Sequence, residues 1–320
     1  MTNIQVIDKE TLQTTFGILG AISSYDVYDS GELKSVILKG ENVVITHAGE
    51  LTPYYTETPR RKYKPSVKFY KDGMIKSVSL ENQQELITPI GELLAELVTF
   101  YNTGELHRVF PLDGKLSGFW GEEEEKELHI PLTFDLDFTE FTACISCLCF
   151  YKTGDIKSIT LYPNEEIKIN KIAVRHGLSL YESGALQSCE PAKPTMIDTP
   201  LGKILAFDPE AVGVTADSNS LVFYEDGTLK SLITTAHKVQ VQDENGKMKL
   251  YAPQIVPAFV EGGDESIIGL NINFCNEGVS FGREEKIYSF KDCGFTLLDF
   301  GFQQIIGCNP SDCASCSLCH

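Results

Sequence analysis

The sequence predicts an all-β protein, folded as an antiparallel meander of about seven tandem β-hairpin repeats. Three observations support this prediction. One hairpin motif recurs along the chain, a second kind of turn lies between its copies, and helical periodicity is weak. At 320 residues the chain is long enough for one large repeat-built domain or two ordinary domains.

The recurring motif is an aromatic pair, two turn residues, a glycine, any residue and an aliphatic residue. Its copies occupy residues 27–33, 69–75, 100–106, 150–156, 180–186, 223–229 and, in degenerate form, 274–280. In the last copy Cys275 takes the place of the tyrosine. Four copies continue into a Lys-Ser pair: Lys34-Ser35, Lys76-Ser77, Lys157-Ser158 and Lys230-Ser231.

Each copy has the residue types of a tight turn between two strands. Asp, Ser or Thr before the glycine favours a turn, and glycine adopts a positive φ at little cost. We therefore expect a three-residue loop in which a type I turn is followed by a left-handed glycine that forms a G1 bulge. The aromatic and aliphatic residues on both sides have the preferences of strands.

A second turn is predicted between hairpins. The segments 88–91 (TPIG), 199–202 (TPLG) and 46–49 (THAG) each end in a glycine that follows the preceding motif glycine at the same spacing. Proline at the second position and glycine at the fourth suit a β-turn. The expected order is strand, motif turn, strand, loop, strand, second turn, strand.

Side-chain alternation within these strands is irregular. Ile156 and Ile159 would lie on opposite faces of a regular strand, and the apolar side also switches across residues 33–38. Either a bulge interrupts the strand or the sheet is partly buried on both faces.

One further segment has partly helical spacing, and another is strongly acidic. The leucines of Gly91–Phe100 have some helical spacing, but the segment runs directly into a hairpin copy and is predicted to be a strand. The acidic run 122–125 is predicted to be an exposed loop.

The domain organisation follows from these repeats. We expect a hairpin-repeat region at 1–250, with a break near 121–130, a C-terminal β region at 251–307 and a cysteine-rich tail at 308–320.

The formal net charge of −18 disfavours nucleic acid and anionic membrane surfaces as partners. A basic protein partner is compatible with this charge, and so is simple solubility. The N-terminus has no signal-peptide pattern, and no stretch approaches the ~18 apolar residues of a membrane span. A cytoplasmic location is expected, with the cysteines reduced or bound to metal.

The units FYKDGMIKSVSL and FYEDGTLKSLIT resemble the variant MORN repeat, an aromatic pair followed by x-x-Gly-x-aliphatic-Lys. Residues 100–121 add the Gly-Lys-Leu-x-Gly-x-Trp form of that repeat. The resemblance covers the hairpins between about residues 27 and 232 and, more faintly, 274–280, although most copies lack the second glycine. It implies an elongated, curved sheet that serves as an interaction surface, as in antitoxin-like or immunity-like proteins. For an acidic member it implies a basic protein partner, and it carries no catalytic residues.

No catalytic signature appears in the sequence, neither a phosphate-binding loop nor a nucleophile elbow nor a His-Glu-x-x-His pair. Asp135 and Asp137 would share a face of a strand and suit either a cation or edge protection. Five histidines are scattered without metal-ligand spacing and are predicted to be surface or turn residues: His47, His107, His129, His176 and His237.

The C-terminus offers a candidate metal site. Its cysteines are Cys308, Cys313, Cys316 and Cys319, and four thiolates so close together can surround one zinc ion or an iron–sulfur cluster. The spacing differs from that of a zinc ribbon and is nearer to ferredoxin spacings. A flexible tail of free thiols and a set of redox disulfides are the alternatives.

The other cysteines have simpler explanations. Cys144, Cys147 and Cys149 precede a hairpin copy and are predicted to pack in the core, because free cysteine is often buried. Isolated Cys189, Cys275 and Cys293 are predicted to be structural.

The leading hypothesis is therefore a non-enzymatic scaffold that holds a protein partner on its repeat sheet. The alternative is a metal- or cluster-carrying protein that uses the C-terminal cysteines. The sequence leaves the oligomeric state open.

Overall fold

The computed structural model describes residues 5–8, 10–61, 64–114, 120–211, 219–257 and 266–301. More than half of these residues lie in antiparallel strands and only one short helix is found among them, which confirms the predicted all-β fold class. The chain divides into two compact units. Unit 1 contains Met1–Asn170 and His176–Ala185, and unit 2 contains Lys171–Arg175 and Leu186–His320.

The elements up to residue 180 are β1 (Gln5–Asp8), β2 (Thr11–Thr14), β3 (Gly17–Leu19), β4 (Ile22–Val27), β5 (Leu33–Leu38), β6 (Val44–Thr46), β7 (Gly49–Leu51), β8 (Val67–Phe69), β9 (Ile75–Thr88), β10 (Gly91–Phe100), β11 (Leu106–Phe110), α1 (Glu122–Lys126), β12 (Leu132–Leu136), β13 (Thr139–Ala143), β14 (Ile145–Phe150), β15 (Ile156–Leu161), β16 (Glu166–Ile169) and β17 (Ile172–Leu180). Within unit 1 the main sheet has the order β4-β5-β8-β9-β10-β11-β14-β15-β17.

The remaining strands are β18 (Leu186–Pro191), β19 (Thr195–Thr199), β20 (Gly202–Ala206), β21 (Leu221–Phe223), β22 (Leu229–Thr234), β23 (His237–Gln242), β24 (Met248–Tyr251), β25 (Gln254–Val256), β26 (Ser266–Ile268), β27 (Leu270–Phe274), β28 (Gly278–Phe281), β29 (Tyr288–Ser289) and β30 (Gly294–Asp299). Within unit 2 the main sheet has the order β18-β21-β22-β27-β28-β29, and β24-β23-β30 form a separate sheet.

The motif hairpins have the predicted turn. In the first, Gly31 N donates a 2.8 Å hydrogen bond to Tyr28 O, and Tyr28 N donates one of 2.8 Å to Glu32 O. Gly31 has a φ of +95°, which an L side chain would strain. The same pattern recurs at Gly73, Gly104, Gly154, Gly184 and Gly227. The type I turn with its G1 bulge is thus confirmed in these copies.

The seventh copy differs. Cys275 and Gly278 exchange hydrogen bonds in both directions, which makes a two-residue loop without a left-handed glycine. The motif turn occurs instead at Gly246, where Gly246 N donates to Asp243 O at 2.8 Å and φ is +77°. The motif does not predict this turn, because Asp243 stands in place of the motif tyrosine.

A bulge explains the irregular alternation. In the first hairpin Asp26 pairs with Ser35 and Val27 with Leu33, so Lys34 has no partner across the ladder. The corresponding bulged residues in other hairpins are Lys76, His107, Lys157 and Lys230. The extra residue shifts the alternation of side chains by one position. Apolar side chains before and after the bulge, such as Ile156 and Ile159, therefore lie on the same face of the sheet.

The bulges bring like residues together across unit 1. One cross-strand row is apolar and at most 1% exposed: Val36, Val67, Val78, Val98, Val109, Leu148, Ile159 and Leu178. Burial of each such side chain contributes roughly 1.5–3 kcal/mol of hydrophobic stabilisation. The adjacent row, which we call the polar row, lies on the opposite face. It contains Ser35, Lys68, Ser77, Thr99, Arg108, Cys149, Ser158 and Ser179.

The second turns are also present. Thr88 Oγ1 donates to Gly91 O, and the φ of Gly91 is +113°; the turns that end at Gly49 and Gly202 are alike. The turn at Gly91 joins β9 to β10 within the main sheet. The hairpins β6–β7 and β19–β20 instead form separate two-stranded sheets, which the sequence did not predict.

Of the two uncertain segments, Gly91–Phe100 is the predicted strand. The prediction of a loop at 122–125 is wrong, whereas the predicted exposure is confirmed for Glu122, Glu123 and Glu124. These residues form the short helix α1, and Glu125 is buried because Arg60 and Trp120 bind its carboxylate. The domain boundaries predicted from the sequence stay predictions.

Candidate binding groove on the hairpin sheet

Five of the motif tyrosines connect their hairpins to the following copy. Tyr70 Oη donates a 2.8 Å hydrogen bond to the carbonyl oxygen of Phe100, which is the corresponding position of the following copy. Tyr28, Tyr101, Tyr151 and Tyr224 make the same bond to Phe69, Phe150, Leu180 and Phe274. The bulged lysine lies over the ring of the same tyrosine, as Lys76 Nζ does at 5.5 Å from the Tyr70 centroid. The motif therefore fixes both the spacing of the hairpins and the position of its lysine.

A groove of about 420 Å³ lies on the polar-row face of unit 1, across β8, β9, β10 and β11. Its floor contains Lys68, Ser77, Thr99 and Arg108, which the strand register places side by side. Phe110 adds an apolar surface. The groove thus combines cations, hydroxyl groups and an aromatic ring.

The groove is basic although the chain as a whole is acidic. Among the residues that the structure describes, four cations line it, namely Lys64, Lys68, Lys76 and Arg108, together with one carboxylate, that of Asp113. Lys64 is paired with Asp113. In the part of the chain that the structure describes, no carboxylate forms an ion pair with any of the other three cations. In a protein with a net charge of −18, such a surface is a local positive field.

Three buried polar atoms of the groove residues have no hydrogen bond to another described residue: Thr99 Oγ1, Arg108 Nε and Asp113 Oδ2, the last of which lies 3.7 Å from Arg61 Nη2 in an ion pair. All three atoms are shielded from solvent. Leaving such a group unpaired costs roughly 1–3 kcal/mol. Unsatisfied polar atoms beside a groove indicate that a ligand could supply the missing acceptor.

His107 forms the hairpin-turn end of the groove. Its ring packs on Tyr101 with centroids 4.3 Å apart. Burial, together with the charges of Arg108 and Lys157, lowers the pKa of His107 below its usual value. The imidazole is therefore neutral at pH 7 and adds no charge to the groove in the absence of a ligand.

The other end of the groove is held by buried ion pairs. Arg60 binds Glu96 through two hydrogen bonds of 2.7 and 2.8 Å and Glu125 through two of 2.6 and 2.7 Å. Glu96 also accepts a 2.8 Å hydrogen bond from Asp113 N, which positions the partner of Lys64. Burial alone would lower the pKa of Arg60, but its hydrogen bonds to Glu125 and Glu96 raise it, so Arg60 stays charged.

The sequence analysis singled out Lys76-Ser77 as part of the motif but did not identify a groove. The available signal was the third copy, where His107-Arg108 stands in place of Lys-Ser. This departure puts a guanidinium group into a position that other copies fill with a hydroxyl. Lys68 lies in the same polar row, and only the strand register places it there.

The cysteines predicted to hold zinc or an iron–sulfur cluster, Cys308, Cys313, Cys316 and Cys319, lie outside the described residues, so this site stays a prediction. Within the described ranges, no group of three or more His, Cys, Asp or Glu side chains is arranged to hold a metal ion.

The core prediction for the other cysteines agrees with the burial of Cys144, Cys149 and Cys189. Burial also raises the pKa of the partly buried Cys147 to about 12, so this thiol is protonated at neutral pH. Of the histidines, His237 is buried, so the prediction of a surface position is wrong there.

Asp135 and Asp137 are not brought together on one strand. Asp135 lies in β12, whereas Asp137 lies in the turn that follows, and both are exposed.

No protein-family model, curated protein or solved structure matches this chain. The resemblance to MORN repeats stays a prediction that rests on the motif. Within the described ranges, no helix has the length and hydrophobicity that crossing a membrane requires.

Proposed function

We propose that this protein is a non-enzymatic interaction module that binds a segment of a partner protein in the groove of unit 1. The observation that carries the proposal is the groove itself, where Lys68, Lys76 and Arg108 lie on one part of the sheet without an ion pair to any described carboxylate.

The shape of the groove supports a chain segment as the ligand. Lys68 and Arg108 lie on strands three positions apart in the sheet, and strand spacing puts their backbones about 14 Å apart. The groove is open and lined by side chains from several strands, as suits an extended peptide. A cytoplasmic location and a non-catalytic role belong to the same proposal.

A peptide library displayed on phage tests this proposal. The intact protein should enrich a set of peptides that compete with one another for one site. Lys68→Glu should abolish their binding, because it puts a carboxylate into the groove. Lys168→Glu is the matched control, since Lys168 is also an exposed strand lysine of unit 1 but lies outside the groove. The proposal is overturned if no peptide is enriched, or if the enriched peptides bind the Lys68→Glu protein as well as the wild type.

A further inference from the structure

The polar row inside the groove has the chemistry of an oxyanion site. Across the row, Lys68 and Arg108 flank the hydroxyl-bearing residues Ser77 and Thr99. Guanidinium, ammonium and hydroxyl groups are all hydrogen-bond donors to carboxylate oxygens. The groove offers these donors without a described carboxylate paired to either flanking cation.

We propose that the groove binds an extended acidic segment of the partner, with two carboxylate side chains four residues apart that meet Lys68 and Arg108. This inference rests on the proposed function and specifies its ligand. It differs from the basic partner that the net charge of the chain suggested, because the local charge of the groove is positive.

The spacing follows from chain geometry. The flanking cations are separated by three strand spacings, about 14 Å. An extended chain rises about 3.4 Å per residue, so four residues cover the same distance. Side chains four apart in an extended segment lie on the same side, and both can therefore point into the groove.

The buried polar atoms favour the same ligand. Thr99 Oγ1 and Arg108 Nε lack described partners and lie on neighbouring positions of β10 and β11. A carboxylate above this pair would accept from both, because a guanidinium group binds a carboxylate through a fork of N–H groups. The aromatic ring of Phe110 lines the same groove and can contact the apolar part of the segment.

Fluorescence anisotropy with labelled synthetic peptides tests the spacing. The probe is a Gly/Ser peptide with two glutamates four residues apart. One comparison peptide has them three residues apart, so that they point to opposite sides, and a second has glutamines in their place. We expect the probe to bind at least about tenfold more tightly than either comparison peptide, a difference of about 1.4 kcal/mol.

Variants of the groove complete the test. Arg108→Met keeps the length of the side chain but removes its charge, and it should abolish the preference for the four-residue spacing. Thr99→Val should lower the affinity for the probe peptide by about threefold to tenfold, because one hydrogen bond is lost. Lys168→Glu should leave the affinity unchanged. Circular dichroism establishes that each variant is folded before its binding is measured.

Several outcomes would overturn the inference. Equal binding of both glutamate peptides would show that the groove attracts negative charge without selecting the four-residue spacing. An unchanged preference in Arg108→Met would show that the guanidinium group does not bind the carboxylate. Tighter binding of a phosphoserine peptide or of single-stranded oligothymidine, lost in Arg108→Met, would assign the groove to phosphate. Library peptides that lack acidic residues but depend on Lys68 would refute the inference and leave the proposed function standing.

Discussion

The hydroxyl of a motif tyrosine should contribute measurably to the stability of unit 1. We consider Tyr70→Phe, which removes only the hydroxyl and keeps the ring beneath Lys76. In the native protein Tyr70 Oη donates to Phe100 O at 2.8 Å, a normal distance for a strong bond, and burial raises the pKa of this phenol.

The expected loss is that of one partly buried hydrogen bond. Such a bond contributes about 1 kcal/mol net to folding, and more when its acceptor remains buried without a partner. Tyr151→Phe removes the equivalent bond to Leu180 O. The two bonds share no residue, so the double variant should lose about 2 kcal/mol.

Urea unfolding followed by tryptophan fluorescence is a suitable assay, because Trp120 is the only tryptophan of the chain and belongs to unit 1. With a urea dependence of about 1–3 kcal/mol per molar, each substitution should lower the midpoint by roughly 0.3–1 M. Tyr25→Phe is the control, because its hydroxyl is exposed and has no described hydrogen bond. If Tyr70→Phe and Tyr25→Phe have the same midpoint, the tyrosines do not connect the hairpins energetically.

Three further predictions concern other parts of the chain. Gly177→Ala should destabilise unit 1 by roughly 2–5 kcal/mol, because φ is +141° and the new Cβ would lie 2.1 Å from a carbonyl oxygen of β15. Gly31→Ala, with positive φ but open space, should cost only about 1–2 kcal/mol in the same urea assay. Burial raises the pKa of Glu190 above its usual 4.5, so its stabilising contribution is present at low pH and is lost as the pH rises through the folded-state pKa. The melting temperature of Glu190→Gln should therefore increase relative to that of the wild type as the pH rises. A difference that does not change with pH would contradict the raised pKa of Glu190. If the C-terminal cysteines bind metal, Cys313→Ser with Cys316→Ser should remove the zinc or iron found by elemental analysis of protein purified without oxygen, and unchanged metal content would exclude that site.

The sequence was sufficient for the local structure of the hairpins. A left-handed glycine after two polar residues specifies a turn through the conformational preferences of a few neighbouring residues. The turn at Gly31 and the strand Gly91–Phe100 were therefore predictable. The same local rules failed at residues 122–125. These residues form a helix instead of a loop, and the carboxylate of Glu125 is buried.

That failure has a tertiary cause. Glu125 is buried because Arg60, which is distant in sequence, supplies the opposite charge and the hydrogen bonds that a buried carboxylate requires. No composition rule contains this pairing. The net charge of −18 is compatible with a basic partner, but it is an average over the chain and does not give the local charge of one face of a sheet.

The sequence by itself determined the repeat, its turns and the strands around them, because these depend on short-range backbone preferences and on the period of two along a strand. Only the tertiary structure decided the groove. Strand register puts Lys68, Ser77, Thr99 and Arg108 into one row, and register depends on bulges and long-range pairing. A one-residue shift at a bulge moves a side chain to the opposite face of the sheet. Without the bulge, Arg108 would lie on the face of the apolar row instead of in the groove.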